Sequence, residues 1–309
     1  MAHIFNDFYT GRINIARLCY FYRTMFKNLL ALAGRKGNKT SKQPHASEHL
    51  NESYYVSLCC IIKDENEYLE EWVNYHLKIG IEHFYIYDNG SRIPIRETLE
   101  QLKLSKYTTI VKMTGKAKQV KAYGHCIKNF GKHSRWIGFI DIDEFIVPKT
   151  TNGDLAAFLK DYEDYGGLGM NWLIFGSNGH LKKPVLSQLE SFLLRAEEDF
   201  HVNRHIKNIV QPQYVKSVLG AHNFAYKDGK FCVNENFTPI DGSFSDVSVN
   251  KIQLNHYYCR SFEEYEAKIK RGYGDTSKKR TVDEFYHHDV DANKVKDTTI
   301  LDILKRKVD

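Results

Sequence analysis

Tyr54 to Ile62, YYVSLCCII, is a nearly unbroken apolar run of strand length. A strand apolar on both faces has to be covered on both faces, as in a parallel sheet held between helices. A polar loop follows, Lys63-Asp64-Glu65-Asn66. Leu69, Trp72, Val73, His76 and Leu77 then recur at helical spacing up to Gly80. The alternation continues. His83 to Tyr87 predicts a second strand that ends at Asp88-Asn89-Gly90-Ser91, and Ile95 to Leu102 a short helix. Thr108 to Val111 reads as a third strand, Ala117 to Phe130 as a helix weakened by Gly124, and Trp136 to Ile140 as a fourth strand. Strands and helices in this order predict an α/β unit built on a mainly parallel sheet.

Ligands of such sheets bind beyond the carboxyl ends of the strands. The acidic residues fall there: Asp64 and Glu65 after the first strand, Asp88 after the second, Asp141 and Asp143 after the fourth. After Pro148 the pattern is mixed. Leu155 to Tyr162 reads as helical, and Met170 to Phe175 as a strand. Short strands are expected around Tyr214 to Val218, Ala221 to Tyr226 and Lys251 to Leu254. Ser261 with Glu264, and Thr281 with Glu284, are capping boxes that open two further helices, the first running to Arg271 before Gly272.

With 309 residues, 42% of them hydrophobic, the chain has material for one large core or two small ones. The net charge of +6 permits contact with phosphates or an anionic surface without demanding it. Much of the excess lies early, where Arg12, Arg17, Arg23, Lys27, Arg35, Lys36, Lys39 and Lys42 face Asp7 alone up to Pro44. Ile13 to Ala33 mixes these cations with Leu, Phe and Tyr. It reads equally as an amphipathic helix on an anionic membrane and as a helix packed on the main domain. No apolar stretch reaches the roughly 18 residues of a membrane span. The six cysteines form no CxxC pair, which favours a reducing cytoplasm. The expected division is a basic arm and linker over 1–52, a catalytic domain over 53–275 and a helical extension over 276–309.

In WIGFIDIDE, Asp141 and Asp143 stand two apart, and on an extended chain such residues point the same way. Two carboxylates on one side can share a hard divalent cation that nucleotide phosphates complete. Two charges at a buried strand end need such a reason, so a metal is favoured over simple capping of the next turn. Glu144 reads as the partner of a nearby cation. Asp88 suits both a ribose contact and a turn, and Asp64 and Glu65 carry the same ambiguity. By spacing alone His256 reads as a structural histidine, and Lys268 with Arg271 as a solvated basic face. Gly176-Ser177-Asn178-Gly179-His180 is either a loop over a sugar or an ordinary hairpin.

Taken together, these pieces resemble glycosyltransferase family 92, including its bacterial members close to family 2. The resemblance is carried by Ile62-Lys63-Asp64-Glu65-Asn66 with Glu70-Glu71-Trp72 and Tyr75-His76. FYIYDNGS, WIGFIDIDEF, FGSNGH, Lys207-Asn208-Ile209-Val210 up to Pro212, and NHYYCRSFEEYEAKIKRG then follow in order, over about 54–272. The resemblance implies a GT-A fold and a nucleotide-diphospho-sugar donor, with a UDP-sugar expected. It implies a divalent metal, Mn2+ or Mg2+, on Asp141, Asp143 and His256. Lys63, Asp64, Glu65 and Asp88 would line the nucleotide pocket, and Lys268 and Arg271 would meet the diphosphate. The family's inverting course implies a base on the acceptor hydroxyl, for which His180 and Glu235 are the candidates by position and Glu144 the third. Many GT-A enzymes carry an acidic residue where GSNGH stands here.

The expected protein is therefore a cytoplasmic glycosyltransferase, peripheral on the inner face of the membrane through residues 1–44, that passes sugar to a glycan or glycolipid of the cell surface. A metal-dependent phosphoryl-transfer or nucleotide-hydrolysing enzyme would use the same two aspartates. A nucleic-acid-binding protein is disfavoured, because beyond the first segment the basic residues are interleaved with acids.

Overall fold

Strand β1 (Tyr54–Ile62) runs down the middle of a ten-stranded sheet, and its apolar sequence is matched by near-complete burial. The computed structural model describes residues 53–276 and 278–307, which belong to one compact unit. The basic arm and linker over 1–52 lie outside the described residues. Helix α1 (Leu69–Lys78) follows, then β2 (His83–Asp88), α2 (Ile95–Gln101), β3 (Thr108–Lys112), α3 (Gln119–Phe130), β4 (Ser134–Phe139) and β5 (Glu144–Pro148). Next come α4 (Leu155–Leu159), β6 (Gly167–Ile174), α5 (Gln188–Ser191) and β7 (Leu194–Arg195). The chain continues through β8 (Ile206–Val210), β9 (Val215–Gly220), β10 (Asn223–Tyr226), β11 (Cys232–Val233), β12 (Pro239–Ile240) and β13 (Ile252–His256). It closes with α6 (Phe262–Arg271), α7 (Val282–Asp289), β14 (Val295–Lys296) and α8 (Thr299–Arg306).

The sheet order is β12-β11-β6-β8-β4-β1-β2-β3, with β13 joining β6 to β5. β1, β2, β3 and β4 pair in parallel, as the alternation predicted. Helices flank this sheet, the α/β organisation expected of the chain. The sheet is mixed, because β8 enters between β4 and β6 antiparallel to both. IKNIV is too short, and too polar in its middle, to announce a central strand. Both capping boxes form as predicted, with Ser261 and Thr281 each accepting a backbone N–H from the glutamate three residues on.

The WIGFIDIDE segment differs from its reading as one strand. β4 stops at Phe139, Asp141 to Glu144 makes a turn closed by Glu144 N–H on the Asp141 carbonyl (3.1 Å), and Glu144 opens β5. The extended-chain argument for two parallel aspartates therefore fails, and their placement comes from the turn. Gly138 lies under this turn. A Cβ there would come within 2.6 Å of a Leu58 methyl, so glycine lets the neighbouring strands close over the strand end.

α1 anchors β5 through ring donors: Trp72 Nε1–H on the Glu144 carbonyl (2.9 Å) and the Tyr75 hydroxyl on that of Ile146 (2.7 Å). His76 is sealed beside them. Its Nδ1–H faces the Trp72 carbonyl at 2.8 Å, and Nε2 accepts from Ile146 N–H at 3.4 Å. Burial pulls its pKa down to about 3. The unfolded chain protonates this histidine below about 6.5 and the folded chain does not. Stability is therefore whole above about pH 6.5 and falls as pH drops towards 3. Between pH 6.5 and 5, His76 is expected to remove about 2 kcal/mol. Denaturant melts across that range check this: His76→Gln should flatten the slope, and an unchanged slope would refute it.

Candidate active site

The turn between β4 and β5 forms one wall of a cleft lined also by Lys63, Glu65, Gln119, Lys207, His256, Lys268 and Arg271. The carboxyl end of β1 supplies Lys63 and Glu65. β13 supplies His256 by register: it pairs antiparallel with β5 so that His256 stands opposite Glu144, while Tyr257 N–H bonds the Asp143 carbonyl (2.9 Å). α6 presents Lys268 and Arg271 on one face, three residues apart.

Charge is compensated within the cleft. Lys207 Nζ, fully buried, lies 2.8 Å from Asp141 Oδ2 and 3.7 Å from Glu144 Oε2. Gln119 donates to Asp141 Oδ1 at 2.6 Å. Lys268 Nζ lies 2.6 Å from Asp143 Oδ2 and donates to the Tyr258 carbonyl at 2.7 Å. Arg271 lies 2.8 Å from Glu65, which Arg260 also meets at 3.3 Å. Arg260 lies against the Tyr68 ring, 3.5 Å from its centroid. Burial pushes the Asp143 carboxyl up, but Lys268 and His256 outweigh it and hold the group well below the usual carboxylate range. Glu144 is pushed up to about 8, by burial first and then by Asp141 and Asp143, against the opposing pull of Lys207. Burial lowers the pKa of His256, against the opposing pull of Asp143.

Asp141, Asp143 and His256 share the cleft, with His256 Nε2 3.6 Å from Asp143 Oδ2. Among the described residues no group of three His, Cys, Asp or Glu side chains is arranged to hold a metal as it stands. The ammonium groups of Lys207 and Lys268 each pair with one of the two aspartates. By donor chemistry the residues fit a divalent cation: two carboxylates and an imidazole line one cleft.

Of the predicted nucleotide residues, Lys63, Glu65, Lys268 and Arg271 line the cleft, and Asp64 and Asp88 are not among the lining residues. Asp88 accepts Gly90 and Ser91 N–H on Oδ1, at 3.0 and 2.8 Å, and so closes the turn. Asp64 accepts Arg92 N–H at 2.8 Å. Neither His180 nor Glu235 is among the lining residues. The His180 ring packs edge-on against Phe192. Glu235 accepts from Ser248 Oγ and from the backbone N–H groups of Asn250, Lys251 and Ile252, all at 2.7–2.8 Å. A carboxylate so filled is a loop anchor. Sequence reasoning gave no role to Lys207, Gln119 or Arg280. For Lys207 a signal exists, since a lysine set close to Ile206, Ile209 and Val210 needs a buried partner.

Residues 52–303 match glycosyltransferase family 92. A family 92 protein of Oryza sativa subsp. japonica is 27% identical over 233 residues, 73% of this chain and 37% of its own length. One of Ricinus communis is 26% identical over 231 residues, 71% of this chain and 37% of its own. The chain thus spans little more than a third of these relatives. Among solved structures, TarS 1-349 of S. aureus overlaps 52% of this chain and 48% of its own, at 16% identity and a TM-score of 0.36.

Glu235→Gln removes the charge from four short hydrogen bonds. It is expected to cost about 1.5–3 kcal/mol of stability, read from denaturant midpoints. A midpoint equal to that of the parent would show that Glu235 does not anchor the loop.

Proposed function

The chain belongs to glycosyltransferase family 92, and from that premise we propose that its cleft takes a nucleotide-diphospho-sugar, a UDP-sugar, and passes the sugar to a hydroxyl of a glycan or glycolipid acceptor. The observation that carries this reading is the single cleft joining Asp141, Asp143 and His256 to Lys268 and Arg271. A carboxylate–imidazole set beside a cationic wall suits a diphosphate and its counter-ion.

Asp141, Asp143 and His256 would hold a divalent cation, Mn2+ or Mg2+. When bound, it would neutralise charge on the departing diphosphate. Lys268, braced on Asp143 and two carbonyls, keeps a fixed position from which to face that charge. Arg271 is oriented by Glu65. In a single displacement with inversion, the acceptor hydroxyl oxygen bonds the anomeric carbon while its proton passes to solvent water. The bond from that carbon to the diphosphate oxygen breaks, and its electron pair leaves with the diphosphate. Glu144, sealed beneath Lys207, holds the turn in this scheme and does not meet the acceptor.

Asp143→Asn, by weakening the hold on the cation, is expected to lower sugar transfer by roughly two or more orders of magnitude. Product formation from UDP-sugars with manganese, on protein verified as folded by circular dichroism, is the measurement. A folded variant with parental turnover would sink the mechanism, and nucleotide cleavage without transfer in the parent would favour a hydrolase.

The arm over 1–44, with eight Lys and Arg residues against one Asp, is proposed to rest on the anionic inner face of the membrane. Replacing Arg12, Arg17, Arg23 and Lys27 by Glu in the full chain is expected to abolish co-sedimentation with phosphatidylserine vesicles. Undiminished sedimentation would refute this role.

A further inference from the structure

Most cations lining the cleft are already committed. Lys207 pairs with Asp141, Lys268 with Asp143 and Arg271 with Glu65. Among the described residues, Lys63 and Arg280 line the cleft with no ion pair, and their settings differ. Lys63 is part exposed, so water can satisfy it. Arg280 has its Nε and Nη1 shut away from solvent, with no hydrogen-bond partner for either. Guanidinium is charged at every ordinary pH and its N–H groups can only donate. A buried charged donor left unpaired is costly, so two unfilled edges on one guanidinium call for an acceptor that arrives from outside.

The surroundings fix where that acceptor would lie. Arg280 stacks on the Tyr273 ring, 4.0 Å from its centroid, and lies 5.4 Å from the centroid of Tyr258. Lys268 Nζ lies 5.5 Å from that same Tyr258 centroid. Both cations lie near this ring and line the same cleft, with Asp143 held beside Lys268. Thr281 next to Arg280 caps α7, and Gly274 earlier in the loop accepts Gln119 N–H at 3.1 Å, from the helix whose Gln119 side chain holds Asp141.

We propose that Arg280 is the principal clamp on the donor's diphosphate, its free edges taking non-bridging oxygens of the two phosphoryl groups. This rests on the nucleotide-sugar reading above. A planar fork backed by two aromatic rings is suited to phosphate, and it answers charge with direction as a lysine does not. Lys268 and Arg271, already paired, then shape the wall and supply the field.

The test is isothermal titration of the full chain, with manganese, against UDP, GDP, UMP and inorganic pyrophosphate, for the parent, Arg280→Gln and Arg280→Lys. Arg280→Gln is expected to weaken the nucleoside diphosphate and pyrophosphate about 10- to 100-fold, the effect of one lost charge-assisted contact. UMP should weaken less, and Arg280→Lys should recover part of the loss. Unchanged diphosphate binding in Arg280→Gln would overturn the clamp and leave the nucleotide-sugar reading standing. Equal weakening of UMP and UDP would assign Arg280 to the fold and overturn it as well. If Arg280→Gln does not fold, parental diphosphate affinity in Arg280→Lys overturns it. A parent that binds none of the four probes removes the nucleotide-sugar reading and the clamp together.

Discussion

The buried ammonium of Lys207 is what permits three acids to crowd the end of the central strand. Asp141, Asp143 and Glu144 lie within four residues, and at least two of them are drawn into the protein. Three such carboxylates cannot all ionise in a poorly solvated place. Lys207 answers Asp141 and Glu144, Lys268 answers Asp143, and Glu144 is pushed up so that it holds its proton more readily. The turn, the opening of β5 and the cleft floor all depend on this balance. Lys207 arrives on β8, the strand that runs antiparallel between β4 and β6, so the mixed character of the sheet is tied to the site.

The local half of the fold is legible in the chain. Continuous apolar runs such as YYVSLCCII and HFYIYD have few alternatives to buried strands, and both capping boxes mark their helices to the residue. Pairing over long distances is not legible. Nothing in IKNIV specifies that it should enter the middle of the sheet, and nothing in IQLNH names β5 and β6 as its neighbours. The site divides along the same line. Asp141 and Asp143 could be placed in the cleft from their position after the fourth strand, and His256 from the ordered resemblance. His180 and Glu235 were chosen by position along the chain, and position does not report whether a carboxylate is already filled by backbone donors. Arg280 lies in the polar stretch Lys278-Lys279-Arg280, where three cations look alike until two tyrosine rings single one out.

The cleft joins an early half of the chain, which supplies the strand ends and the acid turn, to a late half, which supplies Lys207, His256, Lys268, Arg271 and Arg280. The first half has the regular strand–helix rhythm and the second does not. In such an arrangement the scaffold can stay constant while the late segments set which ligand the cleft accepts. The strand β13 is where that freedom is most restricted here, because it carries groups that meet the acid turn.

Glu235 extends this restriction in an unexpected direction. It grips the backbone of Asn250, Lys251 and Ile252 just where β13 begins. Side chains alternate along a strand, so sliding β13 by one place would turn the His256 imidazole away and bring Asn255 or Tyr257 opposite Glu144 instead. A carboxylate far from any chemistry thus works as an indexing pin.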